Sequence, residues 1–474
     1  MTNEADATAA ELKRRDFLRL AGLGAGGLLT ASALPDVAAA APLDAGTAVA
    51  PARARARASS RVVVVGAGIW GASTALELAR RGAQVTLLDQ YGPGNSRSTS
   101  GDETRGIRSS YGDRAESSAL WTRWAREAIT RWTAFDAEHG RRFDTRFFIR
   151  TGDVILRPRE EPFTTRTTET WDQLRVPYER VTPDEAQRRW PMIKSDEYPV
   201  ILYEPDAGVA RARAAVHATV ALARDAGVTL RIGRVRPGEV RSGTMQGVTL
   251  DDGSVLDADA FVFACGPWLG KVFPEQLGQR MRTPLGFVCY FGTPAGDHRF
   301  AAPTMPSWNV PGVTGWGALP VDSRGFRIRG AFAPPAPPRR EDEPDAPPPP
   351  RPVPDPRAQD ADLSSRWSSE ERIAGSRRVL ERVFPAMADA PLLETRSCHY
   401  ESSTNRNFIV DRLPGATNAW VMGAGQAEGF KFAPLLGEYG AARVLGERTD
   451  EALDSAFAFP TTSYELTRPG ADDE

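Results

Sequence analysis

Cysteine and histidine are scarce in this 474-residue chain, which has three cysteines (265, 289 and 398) and four histidines (139, 217, 298 and 399). Three cysteines cannot form a fully paired framework, so a disulfide-stapled scaffold is excluded. None of these side chains is grouped at metal-ligand spacing, which argues against a zinc enzyme and leads us to expect no metal site. Neither sign of charge is in excess: 59 Lys and Arg against 61 Asp and Glu give a net charge of −2. A nucleic-acid protein carries a clear basic footprint, and none is expected here. Beyond residue 41 no apolar run reaches the ~18 residues that read as a bilayer span, and there is no internal repeat. The chain does have size and an ordinary composition. With 41% hydrophobic and 25% charged residues, it can bury a large core without staples.

The first 41 residues read as an address label. Lys13-Arg14-Arg15-Asp16-Phe17-Leu18 is a twin-arginine pattern, an apolar Leu/Ala/Gly stretch follows from Leu20 to Leu34, and small residues crowd Val37 to Ala41. A charged start, a short apolar stretch and a small-residue cleavage site predict a signal peptide over 1–41 rather than a membrane span. The expected partner is the twin-arginine export machinery, which carries folded proteins, and the expected location is periplasmic or extracellular. Residues 42–60, rich in Ala, Arg and Pro, read as a flexible linker.

Regular structure is expected to begin at Arg61. Arg61-Val62-Val63-Val64-Val65 is a continuous β-branched run, as a buried parallel strand requires. Gly66-Ala67-Gly68-Ile69-Trp70-Gly71 then supplies G-x-G-x-x-G before a helix over Ala72 to Arg81, and Gln84 to Leu88 reads as the next strand. In that setting Gly66 permits the tight turn, and Gly68 lets the backbone approach a pyrophosphate at the helix N-terminus. Gly71 completes the fingerprint. Asp89, 23 residues after Gly66, can accept hydrogen bonds from ribose hydroxyls. The fingerprint predicts a dinucleotide and does not choose FAD over NAD.

Further on, Glu116 to His139 and Arg213 to Ala226 read as helices, and Ala260-Phe261-Val262-Phe263-Ala264 as a short apolar strand. Residues 282–332 carry β-like alternation, as in Phe326-Arg327-Ile328-Arg329. Between Pro334 and Pro356, 12 of 23 residues are proline, which excludes helix and central strand and predicts a solvated insert. Glu370 to Phe384 reads as a helix, and Trp420-Val421-Met422 as a last strand before a glycine-rich turn and a helix from about Lys431.

Several of these segments together resemble the monomeric sarcosine oxidase and N-methyltryptophan oxidase family, FAD amine oxidases of the D-amino-acid-oxidase-like superfamily. The resemblance is carried by Val62 to Gly112, by Tyr203 to Gly208, by Ala264-Cys265-Gly266-Pro267-Trp268, and by Ser397 to Gly437. It implies FAD as cofactor. Gly101-Asp102-Glu103-Thr104-Arg105-Gly106-Ile107-Arg108 is similar to the family's segment beside the flavin ring. By resemblance, Thr104 and Arg105 lie against the ring and Arg108 holds the substrate carboxylate. Arg105 and Arg108 would share a face if their turn were helical. In Cys398-His399-Tyr400, the resemblance implies that Cys398 carries the flavin through a thioether and that Tyr400 is an active-site tyrosine. Gly423, Gly425 and Gly429 belong to a turn similar to the family's at the flavin pyrimidine edge, and Lys431 matches a lysine that pairs with the substrate carboxylate. The family also sets a basic residue on a strand over the flavin. The stretch expected there, Pro284 to Tyr290, holds none, with Phe287 in its place, so slow reoxidation by oxygen is expected.

The expected fold is α/β: a Rossmann-like FAD-binding domain with a discontinuous β-rich substrate domain. FAD-binding parts are expected at 61–145, 204–270 and 391–450. Substrate-domain parts are expected at 146–203 and 271–390, the latter with the proline-rich insert 334–356, and a tail at 451–474. The resemblance implies oxidation of the C–N bond of an amine or N-substituted amino acid to an imine. Hydride passes to flavin N5, and oxygen or another acceptor reoxidises the flavin. Two alternatives stay open: a deaminating amino-acid or hydroxy-acid dehydrogenase on the same fold, and a non-catalytic exported flavin-fold binding protein.

Overall fold

In the computed structural model, the Arg61–Val65 run lies inside a six-stranded sheet. The strand order is Ile409–Arg412, Ala419–Gly423, Ala260–Phe263, Arg61–Val65, Gln84–Asp89, Thr229–Ile232. Residues 60–320, 324–334 and 360–464 are described. The expected leader (1–41), nearly all of the linker (42–60) and nearly all of the proline-rich insert (334–356) lie outside them. The five strands from Ala419–Gly423 to Thr229–Ile232 pair in parallel, and Ile409–Arg412 closes the edge antiparallel. Their sequences are apolar because both faces are covered. Helices Ile69–Arg80, Ala212–Asp225 and Ala433–Leu445 pack together on one side, and the other side carries a second apolar core around Phe261, Phe263 and Leu269.

The second sheet has eight strands, in the order Leu392–His399, Leu285–Phe291, Phe326–Arg329, Val313–Trp316, Ser307–Val310, Asp153–Arg157, Val200–Glu204, Glu179–Val181. Its faces differ sharply, as period-2 side-chain alternation allows. Cys289, Phe291, Phe326 and Ile328 point into an apolar core covered by helix Glu370–Val383. Their neighbours Tyr290, Arg327 and Arg329 point the other way. A three-stranded sheet of Thr104–Ile107, Gly208–Arg211 and Phe148–Arg150 lies between stretches of the two large sheets in sequence.

Two expected boundaries shift. The strand Leu392–His399 pairs with Leu285–Phe291, so the substrate-side sheet runs past residue 391. The six-stranded sheet resumes only at Ile409. Residues 451–464 are not a tail. Asp450 caps helix Glu451–Ala456, Leu453 and Phe457 are buried in the core beside the six-stranded sheet, and Val410 N–H donates to the Phe457 carbonyl at 2.9 Å. Two apolar side chains four residues apart supply one buried face, a signal of a single turn, too short to read as an element in the sequence. Among the described residues no helix is long and apolar enough to cross a membrane, and no His/Cys/Asp/Glu group could hold a metal ion.

Candidate active site

At the carboxyl ends of the parallel strands lies a cavity of about 540 Å³, lined by Gly66, Gly68, Asp89, Arg105, Gly423, Gly425 and Gly429 among others. Gly66 has φ +105°, and a Cβ there would stand 2.3 Å from the Ala264 carbonyl oxygen. Gly71 does not line the cavity. A Cβ on it would lie 1.9 Å from the Gly66 carbonyl oxygen, so its role is to let the helix approach the strand. At Gly68 the nearest atom to a Cβ would be Ser100 Oγ at 3.5 Å, leaving room for a ligand to approach the backbone. Asp89 accepts from the backbone N–H groups of Ala67, Tyr91 and Gly92, each at 2.8 Å, tying the turn together at the cavity wall. Burial raises its pKa despite those bonds. Trp70 Nε1 donates to the Gly429 carbonyl at 2.9 Å, which fixes the glycine turn against the first helix.

Glu401 was not anticipated. Its carboxyl lies beside Gly266 and Gly425 on the cavity wall, 6% exposed, and burial pushes its pKa up to about 7.

The helical premise for Arg105 and Arg108 does not hold. Thr104–Ile107 is a strand, in which residues three apart face opposite ways. Arg105 pairs with buried Asp102 (Nη1–Oδ2 2.6 Å) and brings Nη2 to 3.9 Å from Cys398 Sγ. Thr104 is buried, accepts from Trp316 Nε1 at 3.1 Å and does not line the cavity. Arg108 turns to Thr314, donating to its Oγ1 at 3.3 Å. Cys398 is a free, half-buried thiol on the edge strand.

The absence of a basic residue also needs correction. Phe287 packs toward the apolar core, with Arg372 over its ring, so it does not face the cofactor side. The cations come from the next strand. Arg327 is buried, reaches Asp102 Oδ2 at 3.4 Å and stacks 4.1 Å over Trp316. Its Nε and Nη1 have no hydrogen-bond partner. Arg329, two residues on, lies 5.7 Å over the Tyr400 ring. Asp102 also receives the Tyr290 hydroxyl at 3.0 Å. The surrounding guanidiniums of Arg105, Arg327 and Arg396 hold its carboxyl well below the usual range, outweighing its burial.

Lys431 follows the glycine turn in the short helical turn Gly429–Phe432. It is buried and donates from Nζ to the Tyr111 hydroxyl at 2.7 Å. Burial pushes its pKa down to about 8, resisted by nearby Glu428 and reinforced by Arg108. Glu428 in turn pairs with Arg114, and its carboxyl is held low by Arg114 and Lys431 against the cost of burial. Tyr400 lies beside Gly286 of the adjacent strand. Of the expected residues Arg105 lines the cavity; Cys398, Arg327, Arg329 and Tyr400 lie around it, while Arg108 and Lys431 stand near each other and do not line that cavity.

These residues fit FAD. The glycine turn, the helix N-terminus and Asp89 offer a place for the pyrophosphate and ribose. Arg105 on the cavity wall, with Cys398 Sγ 3.9 Å from it and the unpartnered nitrogens of buried Arg327 on the same face, would suit the ring. Known proteins agree with this class. The chain matches the FAD dependent oxidoreductase (DAO) family over residues 61–443, and it belongs to that family. It is 26% identical over 409 residues to N-methyl-L-tryptophan oxidase of Salmonella gallinarum, covering 86% of this chain and 98% of that one. The Salmonella typhimurium enzyme of that name is 26% identical over 408 residues, with the same coverage. Three solved structures share the fold. Fructosyl peptide oxidase (thermally stable mutant) superposes with TM-score 0.69 at 18% identity, covering 86% of this chain and 94% of that chain. L-proline dehydrogenase from P. horikoshii gives 0.67 at 19%, covering 84% and 96%. Iminodiacetate oxidase from Chelativorans sp. BNC1 gives 0.66 at 20%, covering 84% and 98%. The protein is an FAD-dependent oxidoreductase of the amine- and amino-acid-oxidising type.

Proposed function

We propose that the enzyme oxidises the C–N bond of an N-substituted amino acid to an imine, which water hydrolyses to a carbonyl compound and an amine. The observation that carries this is the proximity of Arg108 to buried Lys431, since a guanidinium and an ammonium together suit a substrate carboxylate. FAD supplies the acceptor for the hydride, and the protein orients the two partners. Tyr400 frames the reacting carbon. Arg327 stabilises negative charge that develops as oxygen is reduced, from a buried position where a cation acts strongly. The test is product analysis with N-methyl amino acids. Aldehyde and primary amino acid should appear in equal amounts. Turnover of 2-hydroxy acids with no amine product would contradict the reading and favour the hydroxy-acid alternative.

Two finer features belong to the same reading. Cys398 holds the flavin covalently, supported by its free thiol near Arg105 on the ring side. Acid-precipitated protein should stay yellow, and Cys398→Ala should release the colour. A colourless wild-type pellet would sink the covalent link. The chain is exported by the twin-arginine route, supported by Arg14 and Arg15 ahead of the apolar stretch. Cell fractionation should find the wild-type protein outside the cytoplasm, and the variant with both arginines changed to lysine retained inside it. Wild type found in the cytoplasm would reject it.

A further inference from the structure

Arg329 is out of balance with its surroundings. Among the described residues it donates to no hydrogen bond and pairs with no carboxylate, although Arg105, Arg327 and Arg396 are all drawn to Asp102. Its strand position fixes where it points. Phe326 and Ile328 enter the apolar core, so Arg327 and Arg329 stand on the opposite, cofactor-side face. Arg329 is register partner to Thr314 on one side and to Val288 on the other. Directly opposed residues in an antiparallel pair have neighbouring side chains. Thr314 is the residue that receives Arg108 Nη1 at 3.3 Å, so Arg108 and Arg329 flank one threonine. On its far side Arg329 lies over the Tyr400 ring at 5.7 Å. Arg108 also has no ion-pair partner among the described residues, its Thr314 contact being to a neutral hydroxyl.

Two permanently charged guanidiniums therefore stand on either side of Thr314, on the cofactor-side face of the sheet, without a carboxylate between them. Uncompensated charge in a partly desolvated site is costly, and a ligand of opposite sign relieves that cost. A single carboxylate already has Arg108 and Lys431 to receive it. We propose that the substrate carries a second anionic group and that Arg329 receives it, making this site selective for amino dicarboxylates over N-substituted amino acids with one carboxylate. This rests on the reading of the site as the place where a carboxylate-bearing amine is oxidised.

The test compares two unreactive thioethers, thiodiacetate and (methylthio)acetate, titrated into the flavin-loaded enzyme and followed by the change in flavin absorbance. Wild type should bind the dicarboxylate at least tenfold more tightly. Arg329→Gln should abolish that preference chiefly by weakening the dicarboxylate, and Arg329→Lys should restore part of it. Equal wild-type affinity for both ligands overturns the proposal without recourse to any variant. An equal loss for both ligands in Arg329→Gln also overturns it, because Arg329 would then share the first carboxylate. If neither ligand perturbs the flavin, the carboxylate site itself is wrong and the parent reading fails with the proposal.

Discussion

Lys431 shows how one side chain can carry both a structural cost and a function. Its ammonium is buried, held by the Tyr111 hydroxyl, and its pKa lies near 8 because burial disfavours the charged form. Below that value it is charged and attracts a carboxylate; above it the attraction fades. Affinity for a carboxylate ligand should therefore fall as pH rises from 7 to 9, and Lys431→Met should flatten the profile. A wild-type affinity unchanged across that range would mean that Lys431 does not touch the ligand. Arg108→Ala and Lys431→Ala should each weaken carboxylate binding by roughly 10- to 150-fold, the cost of a charge-assisted bond of about 1.5–3 kcal/mol. Bound flavin should be retained in both. A loss below threefold in both variants would point to a neutral or cationic amine. The roles of these two residues were suggested by motif alone. Asp102, Tyr111, Glu401 and Glu428 were not, because their importance comes from burial among charges that meet only after folding.

At the level of elements, the strand Phe326–Arg329 is visible in the sequence as apolar-polar alternation, which does not single out its arginines. Alternation marks two faces but does not say which lies against a cofactor. That knowledge comes from pairing with Leu285–Phe291 and Val313–Trp316. The same pairing turns Phe287 toward the apolar core. Phe287→Lys should therefore lower the melting temperature and leave flavin reoxidation by oxygen unchanged, while Arg327→Met should slow it. Stopped-flow mixing of reduced enzyme with aerated buffer distinguishes these outcomes, and faster reoxidation in Phe287→Lys would show that position 287 reaches the ring after all. The C-terminal helix makes a second case. Phe457 is 1% exposed and packs among Trp121, Trp124, Phe408 and Tyr439. Phe457→Ala should cost about 3–5 kcal/mol, read by denaturant unfolding. A loss below about 1 kcal/mol would mean that the terminus is dispensable for the fold.

Across the whole molecule, what could be read in advance was the parallel sheet with its glycine turn, because a β-branched run, G-x-G-x-x-G and Asp89 lie within thirty residues of one another. The second sheet was legible only as a tendency to alternate. Its neighbours Ser307–Val310 and Asp153–Arg157 are far apart in sequence and pair in parallel, which no local pattern announces. The site forms where these two architectures meet. The six-stranded sheet and its turns supply the cradle. The charged face of the eight-stranded sheet supplies Arg327, Arg329 and Cys398, and the loop chain from Gly423 returns Lys431 beside Arg108. The most direct test of this account is an anaerobic titration of the flavin-loaded enzyme with an N-methyl amino acid, followed by flavin absorbance. The account predicts bleaching with one equivalent of amine consumed per flavin, lost in Arg108→Ala at the same amine concentration. A flavin that stays oxidised with every carboxylate-bearing secondary amine, or that bleaches equally well in Arg108→Ala, would contradict it.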